Sequence, residues 1–272
     1  MVLATLALPV TSQGADAYPV KPIIIVYPYA GGSASDALTH QVGEILSQAV
    51  GQPVVVDSKP DAGGSMTLEH ASRVPADGYT LVLTASGTMA VNPHIYNLKY
   101  KPVDDLASVT TLVDIPFVVV TRNSFPARNL KEFIAYAKAN PAKVVFANAG
   151  MGTQARIAYL PAVPAADEAG LPGFVTSGWF GLAAPKGTPQ SVIEKLNAII
   201  TKAFGQPDIR KKLLEAGWIP VANSSSNSDA RARADLLRFG AIAQQLNLKP
   251  NQPTATADSG SAGAGRSFAN GA

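Results

Sequence analysis

Ile23 to Tyr27 reads IIIVY, an apolar run without polar interruption, closed by Pro28. Such a run predicts a strand buried on both faces, of the kind parallel sheets use. The next stretch changes period: Ala37, Val42, Ile45, Leu46 and Ala49 recur at helical spacing and predict a helix over 37–50. Gly51 predicts its end, because helices often close on a left-handed residue that glycine adopts at least cost. PVVV at 53–56 predicts a second strand, 65–74 a short helix, and YTLVLT at 79–84 a third strand. Strand and helix in alternation argue for right-handed βαβ units and a parallel sheet.

FVVVT at 117–121 opens a second run of this kind. Asn129 and Glu132 form a capping box ahead of the helix LKEFIAYAKA. VVFA at 144–147 predicts a strand, and 150–158 opens a helix. The pattern then breaks: the 15 residues LPAVPAADEAGLPGF hold three prolines and two glycines and predict an irregular loop. GWFGLAA at 178–184 predicts a strand. Thr188 is placed to cap a helix reaching about Phe204, with Pro189 at its first position. Helices are predicted over 208–216, ending at Gly217, and over 229–246. Residues 251–272 hold almost no large apolar side chains, and disorder is the expectation there.

Composition narrows the function classes. The 272 residues are 47% hydrophobic, enough for one large or two medium domains. Charged residues make up 15%, the net charge is +3, and the longest Lys/Arg run is Lys211-Lys212, which argues against nucleic acid as a partner. The chain has no cysteine, which rules out disulfides, thiolate chemistry and Cys-based metal sites. No apolar run approaches the ~18 residues of a membrane span. The apolar start MVLATLALPV and the A-x-A pattern Ala15-Asp16-Ala17 predict a signal-peptide remnant over 1–17, without a positively charged n-region.

Four Gly/Ser/Thr-rich turns sit between predicted strands and helices. They are Pro28–Asp36 (PYAGGSASD), Asp61–Ser65 (DAGGS), Ala85–Thr88 (ASGT) and Asn148–Thr153 (NAGMGT). Glycine lets backbone approach a ligand, and a helix N-terminus offers free N–H groups and partial positive charge, so such turns can hold an anion without Lys or Arg. In open α/β sheets ligands bind where these turns lie. Each turn alone is also compatible with plain chain reversal.

Gly150–Ala155 matches G-x-G-x-x-A, the dinucleotide fingerprint, which leaves a nucleotide-dependent enzyme as an alternative. Its acidic partner about 20 residues on is missing: Asp167 and Glu168 come early, in the Pro-rich loop. His40, His70 and His94 lack metal-ligand spacing, and the first two read as surface or packing residues. Asp36 stands one turn into its helix beside a glycine pair. It either orients the turn by accepting backbone N–H groups, binds an ammonium group, or only complements the helix dipole. Trp179 and Phe180 are expected in the core, with the wall of a cleft as the other reading.

Three segments carry a resemblance. YPVKPIIIVYPYAGGSASDALTH, DSKPDAGGSMTLEHASRVPADGYTLVLTASGTMAVNPHIYN and EAGLPGFVTSGWFGLAAPKGTPQSVIEKLNAIITKAF resemble the tripartite tricarboxylate transporter receptor family, also called Bug receptors, from Tyr18 to about Lys249. The resemblance implies an α/β fold of the type II periplasmic-binding-protein kind, with two lobes that trap a small carboxylate. It implies a non-enzymatic periplasmic monomer that needs no cofactor or metal and works with membrane transporter subunits. Carried over by motif, ligand contacts are expected at Tyr29, Ala30, Gly31, Gly32, Ser33 and Asp36. Gly63, Gly64, Ser65, Ser86 and Thr88 follow in the first lobe, and Gly152, Thr153 and Gln154 in the second.

The chain departs from the family at three kinds of place. Ser33 stands where a glycine is usual, which predicts strain if the backbone there is left-handed. Asp61 replaces the first glycine of G-A-G-G. A carboxylate ligand at ~6 Å would meet a repulsion of about 2–3 kcal/mol at an effective dielectric of ~20. Arg156 stands where the family has a histidine. Beyond these substitutions, Ile157-Ala158-Tyr159 runs straight into Leu160-Pro161, skipping at least two strand–helix units of ~30 residues each. The expected organisation is lobe 1 over 18–112 and 175–250, a truncated lobe 2 over 113–174, and the tail. A nonfunctional truncated paralogue is the further alternative.

Overall fold

The structure, a computed structural model, describes residues 18–116, 121–140, 177–245, 247, 248 and 250. The elements are β1 (Ile23–Tyr27), α1 (Ala34–Val50), β2 (Val54–Ser58), α2 (Ser65–Arg73) and β3 (Thr80–Ala85). The short α3 (Asn92–Ile95) and α4 (Pro102–Asp105) lead into β4 (Leu106–Pro116), followed by α5 (Leu130–Ala139). Then come β5 (Ser177–Pro185), α6 (Gln190–Phe204), α7 (Pro207–Glu215), β6 (Ile219–Pro220) and α8 (Ser225–Gln245). The predicted elements over 117–120, 144–147 and 150–158, the Pro-rich loop, the leader and the tail lie outside the described residues.

Six strands form one sheet in the order β2-β1-β3-β5-β4-β6. β1 pairs in parallel with β2 and β3, as the alternating pattern predicts. The expectation of a fully parallel sheet fails beyond β3, because β5 runs antiparallel to both β3 and β4. The cause is where the chain leaves and returns. Pro116 and Ser177 face one another in the β4–β5 register, so the strand that re-enters must run against the one that left. Arg231 of α8 holds both at this point: it pairs with Asp114 of β4 at 2.6 Å and donates to Ser177 Oγ of β5 at 3.2 Å.

β4 has no counterpart in the sequence reading. Its register shifts between Ser108 and Thr110, and again between Thr111 and Val113. Each shift breaks the alternation by which a strand is recognised. Polar groups at these shifts, side-chain and backbone, are taken up by the returning C-terminal segment. Thr110 Oγ1 donates to Asn223 O at 2.8 Å, Thr111 N to Ser228 Oγ at 2.6 Å, and Asn197 Nδ2 to Val109 O at 2.9 Å.

Helices cover both faces. On one, Leu38, Val42 and Leu46 of α1 and Leu196, Ile200 and Phe204 of α6 pack over Ile23, Ile25, Leu83 and Leu182. On the other, Leu68 of α2 and Ala232 of α8 pack with Val82, Met89 and Trp179. Burying each large aliphatic side chain contributes roughly 1.5–3 kcal/mol. Phe180 and Trp179 are both 3% exposed and fall in opposite clusters, as alternation along a strand requires, so the core reading holds for both. β1 is not buried throughout: Ile24 is 40% exposed, beside its register partner Val55.

Candidate functional site

The first three turns meet at the carboxyl ends of β1, β2 and β3, and hydrogen bonds tie them together. Ser58 Oγ donates to Tyr29 O at 2.9 Å, and Asp61 N to Pro28 O at 3.4 Å, which join the first turn to the second. Asn92 Nδ2 donates to Gly63 O at 2.7 Å and to Ser65 Oγ at 2.9 Å, which join the second to the third. Gly64 is the point of closest approach. It has φ 80°, and a Cβ there would lie 2.6 Å from Thr88 Cγ2 and 3.1 Å from Pro28 Cγ. Only glycine meets both the left-handed backbone and the lack of space.

The first turn is built around Asp36. Ser33 caps α1, its Oγ accepting from Asp36 N at 3.1 Å, while Asp36 Oδ2 accepts from Gly32 N at 2.7 Å. The two side chains reciprocate in the manner of a capping box. Of the three roles open to Asp36, orienting the turn is therefore the one its contacts show. The Gly32 bond first, and then the Tyr27 hydroxyl, hold the Asp36 carboxyl below its ordinary value. His40 Nε2 lies 3.4 Å from Asp36 Oδ1 on an exposed side chain. Ser33 itself is extended, with φ −75° and ψ 164°. The predicted strain at Ser33 is thus corrected: the left-handed residue is Gly32, at φ 79°, and serine fills its normal capping position.

Ala30, Gly31 and Gly32 are exposed, and Tyr29, Ser33 and Asp36 are partly so. The hydroxyl residues expected to face a ligand are instead buried. Ser65 is bonded by Asn92, Ser86 Oγ accepts from Trp179 N at 3.4 Å, and Thr88 Oγ1 closes its own turn on Ala85. Their side chains hold the turns in place, and the outward-facing group of the site is the Ala30–Gly32 backbone. Helix geometry leaves the N–H groups of Ala34 and Ser35, at the start of α1, without an intrahelical acceptor.

The second turn is different. Asp61 Oδ2 accepts from Thr67 N of α2 at 2.6 Å, and Thr67 Oγ1 donates to Lys59 O at 2.7 Å. The departure noted at Asp61 is therefore a built-in cap. Asp61 Oδ1 and the phenol oxygens of Tyr29 and Tyr100 are buried without a hydrogen-bond partner. Burial first, and then the Asp61 charge, push both phenols well above their ordinary range.

Gly152, Thr153 and Gln154, like the Gly150–Ala155 fingerprint, lie outside the described residues. Among the described residues no group of His, Asp and Glu side chains is arranged to hold a metal. Sequence reasoning missed Asn92, whose only signal is an amide four residues beyond the ASGT turn, and which is 1% exposed. The role predicted for Thr188 is corrected: its hydroxyl donates to Pro185 O at 2.8 Å instead of capping the helix, and Pro189 takes the capping position of α6.

Comparison with known proteins bears on the whole arrangement. The family profile described as tripartite tricarboxylate transporter family receptor matches in two pieces, residues 38–159 and 153–248. The UPF0065 protein in the tcbD-tcbE intergenic region of Pseudomonas sp. (strain P51) is 29% identical over 320 residues, covering 92% of this chain and 95% of the relative. That share of 272 residues is about 250, so about 70 positions of the alignment face no residue here. The profile breaks at 153–159, where the sequence motifs skip. A solved structure described as a periplasmic transporter shares 28% identity at a TM-score of 0.73, covering 86% of this chain and 99% of that one. An R. palustris protein solved with adipate shares the fold at 21% identity, with a TM-score of 0.75 over 86% of this chain and 100% of that one.

Proposed function

Because this chain belongs to the tripartite tricarboxylate transporter receptor family, we propose that it is a periplasmic solute-binding protein for a small organic carboxylate. The observation that carries the reading is the exposed Ala30–Gly32 turn, held rigid by Asp36 directly ahead of the free N–H groups of α1. Backbone N–H groups and the positive end of a 17-residue helix suit a carboxylate, and they need no cationic side chain. The other expected first-lobe contacts then act through backbone or through support, since Ser65, Ser86 and Thr88 are buried. The R. palustris protein solved with adipate supports a carboxylate ligand for the fold.

In this reading the ligand lies between the three turns and the second lobe over 113–174, with Gly152, Thr153 and Gln154 on its far side. The protein then delivers the ligand to the membrane subunits of a tripartite transporter and acts as a receptor, not an enzyme. About 70 alignment positions without a residue shorten the second lobe, so closure covers less of the ligand and affinity is reduced.

A thermal-shift and calorimetric screen of mono-, di- and tricarboxylates and amino acids tests the proposal. A ligand at 100 times its Kd stabilises the fold by about 2.7 kcal/mol. A melting-temperature rise with at least one carboxylate, abolished by a bulky substitution such as Gly31→Leu, is the expected result. No shift with any carboxylate at millimolar concentration would overturn it.

A further inference from the structure

β2 is the last strand of the sheet, and β1 is its only strand neighbour among the described residues. Ile23 N donates to Pro53 O at 3.0 Å, and Lys59 N to Tyr27 O at 2.9 Å. A parallel ladder uses every second residue, so Pro53, Val55, Asp57 and Lys59 turn their backbone groups to β1. The N–H and C=O groups of Val54, Val56 and Ser58 point out of the sheet. Such a row is a template for another strand, and proteins usually guard it with charge or proline. Here Pro53 and the Asp57–Lys59 ion pair, at 3.3 Å, guard the two ends, and the middle of the edge is three valines.

Both faces of this edge are open. On one, Val55 is 51% exposed beside Ile24 at 40%. On the other, a groove of about 530 Å³ runs between α1 and β2, lined by His40, Gly43 and Ser47 of the helix and by Val54 and Val56 of the strand. A Cβ at Gly43 would lie 3.4 Å from Val56 Cγ2, 3.5 Å from Val54 Cγ1 and 4.0 Å from Ile25 Cδ1, so α1 rides over the gap between β1 and β2.

Neighbouring strands lie about 4.8 Å apart, so α1 stands half a strand spacing inside β2. A strand of a second copy, added one spacing outside β2, brings its own α1 to about 10 Å from the first, the distance at which two helices pack. We infer that the groove is half of a two-fold interface: the β2 strands of two copies of this chain pair antiparallel, joining two six-stranded sheets, and each α1 fills the groove of the other. With Val56 opposite Val56 of the second copy, Val54 and Ser58 face one another on either side. About six backbone hydrogen bonds then form, and every outward group of the three residues has a partner. Val55 meets its counterpart on the diagonal, which covers the apolar patch. Asp57 faces Val55 and Lys59 faces Pro53, so no like charges are opposed along the strands. On α1, residues 36, 40, 43 and 47 share the side toward the edge. The two-fold axis sets His40 of each copy against Gly43 of the other, where no side chain stands in its way.

The size is that of a reversible dimer. The 17 residues of α1 span about 25 Å, and the sheet and helix layers together are about 20 Å deep. Each copy thus offers about 500 Å², or about 1,000 Å² in all, near the lower limit for a specific interface. The association goes beyond the receptor reading and replaces the monomer that the family resemblance implies.

The test is sedimentation velocity of the intact chain from about 1 to about 200 μM, where an interface of this size is expected to give a growing dimer fraction. Val55→Lys places an edge-guarding charge on an exposed position, and Val56→Pro removes an outward N–H that bonds nothing in its own chain. Each should weaken association at least about tenfold, with circular dichroism reporting the fold. The register is read by cross-linking, since the chain has no cysteine of its own. Val56→Cys puts the two Cα atoms about 5.5 Å apart, within disulfide reach, and should form a covalent dimer under mild oxidation. Val54→Cys leaves them about 13 Å apart and should not. A monomer at every concentration gives the edge to some other occupant and overturns the inference. A dimer unaffected by Val55→Lys and Val56→Pro overturns it too, as does cross-linking through Val54→Cys in place of Val56→Cys. If Val56→Pro does not fold, Val55→Lys and the cysteine pair decide.

Discussion

The side-chain amide of Asn92 donates to the carbonyl oxygen of Gly63 at 2.7 Å, across 29 residues of chain. The same nitrogen reaches Ser65 Oγ at 2.9 Å, so one buried amide fixes the second turn against the third. Asn92→Ala strands the Gly63 carbonyl and leaves a void. A loss of about 2–3 kcal/mol in unfolding free energy is expected by urea denaturation. Carboxylate affinity should fall as well, because the turn loses its anchor. A variant that unfolds at the same urea concentration as the unmodified protein would show that the bond carries no weight.

Gly64 and Gly32 both have positive φ, yet their surroundings differ. A Cβ at Gly64 lies 2.6 Å from Thr88 Cγ2, whereas one at Gly32 meets nothing within 4 Å. Gly64→Ala therefore combines backbone strain with overpacking, for a cost of about 2–4 kcal/mol. Gly32→Ala carries only the strain, about 1–2 kcal/mol, and its larger effect should be on ligand binding at the exposed turn. Paired denaturation curves check the order of the two.

Asp36 predicts a pH dependence whose sign follows from its lowered pKa. A carboxylate whose folded value lies below the ordinary 3.8 binds protons less readily when folded than when unfolded. Its contribution is therefore fully present above that value, and it is lost as the pH falls through the folded pKa. Asp36→Asn should lower stability at neutral pH, and the gap to the unmodified protein should close below about pH 4. A gap independent of pH would mean that the Gly32 contact does not depend on charge.

His94 packs onto α8 at Gly240. Its Nε2 lies 2.8 Å from Leu236 O, and a Cβ at Gly240 would come within 2.8 Å of His94 Cε1. Glycine inside a helix costs about 0.5–1 kcal/mol relative to alanine, so Gly240→Ala should gain that amount wherever the ring is absent. With His94 in place the substitution is expected to be destabilising. In a His94→Ala background it should stabilise by about 0.5–1 kcal/mol. A double-mutant cycle by chemical denaturation reads the difference, and equal effects in both backgrounds would refute the packing argument.

Much of the described fold is legible in the sequence because its signals are local. The IIIVY run, the helical spacing that ends at Gly51, and the Asn129/Glu132 cap each depend on neighbours a few residues away, and each appears where expected. The start of α1 at Ala34 was missed by three residues, since the capping role of Ser33 was masked by the glycine usual at that place in the family. β4 was missed altogether because two bulges erase its alternation, and the pattern gives no hint of the C-terminal partners that satisfy it. The site divides in the same way. Asp36 could be picked out beside its glycines, whereas Asn92 could not, because both its acceptors are nearly 30 residues away.

The sequence by itself determined the family, through the resemblance of three long segments, and the β1-α1-β2-α2-β3 order with the three turns at the strand ends, through short-range period. Only the tertiary structure decided that β5 enters antiparallel, because that depends on where the chain returns, at Ser177 opposite Pro116. It also decided what each turn does. The same Gly-rich spelling leaves the end of α1 open and closes the end of α2 with Asp61, since a carboxylate read as repelling a ligand is, in three dimensions, within hydrogen-bond reach of Thr67 N.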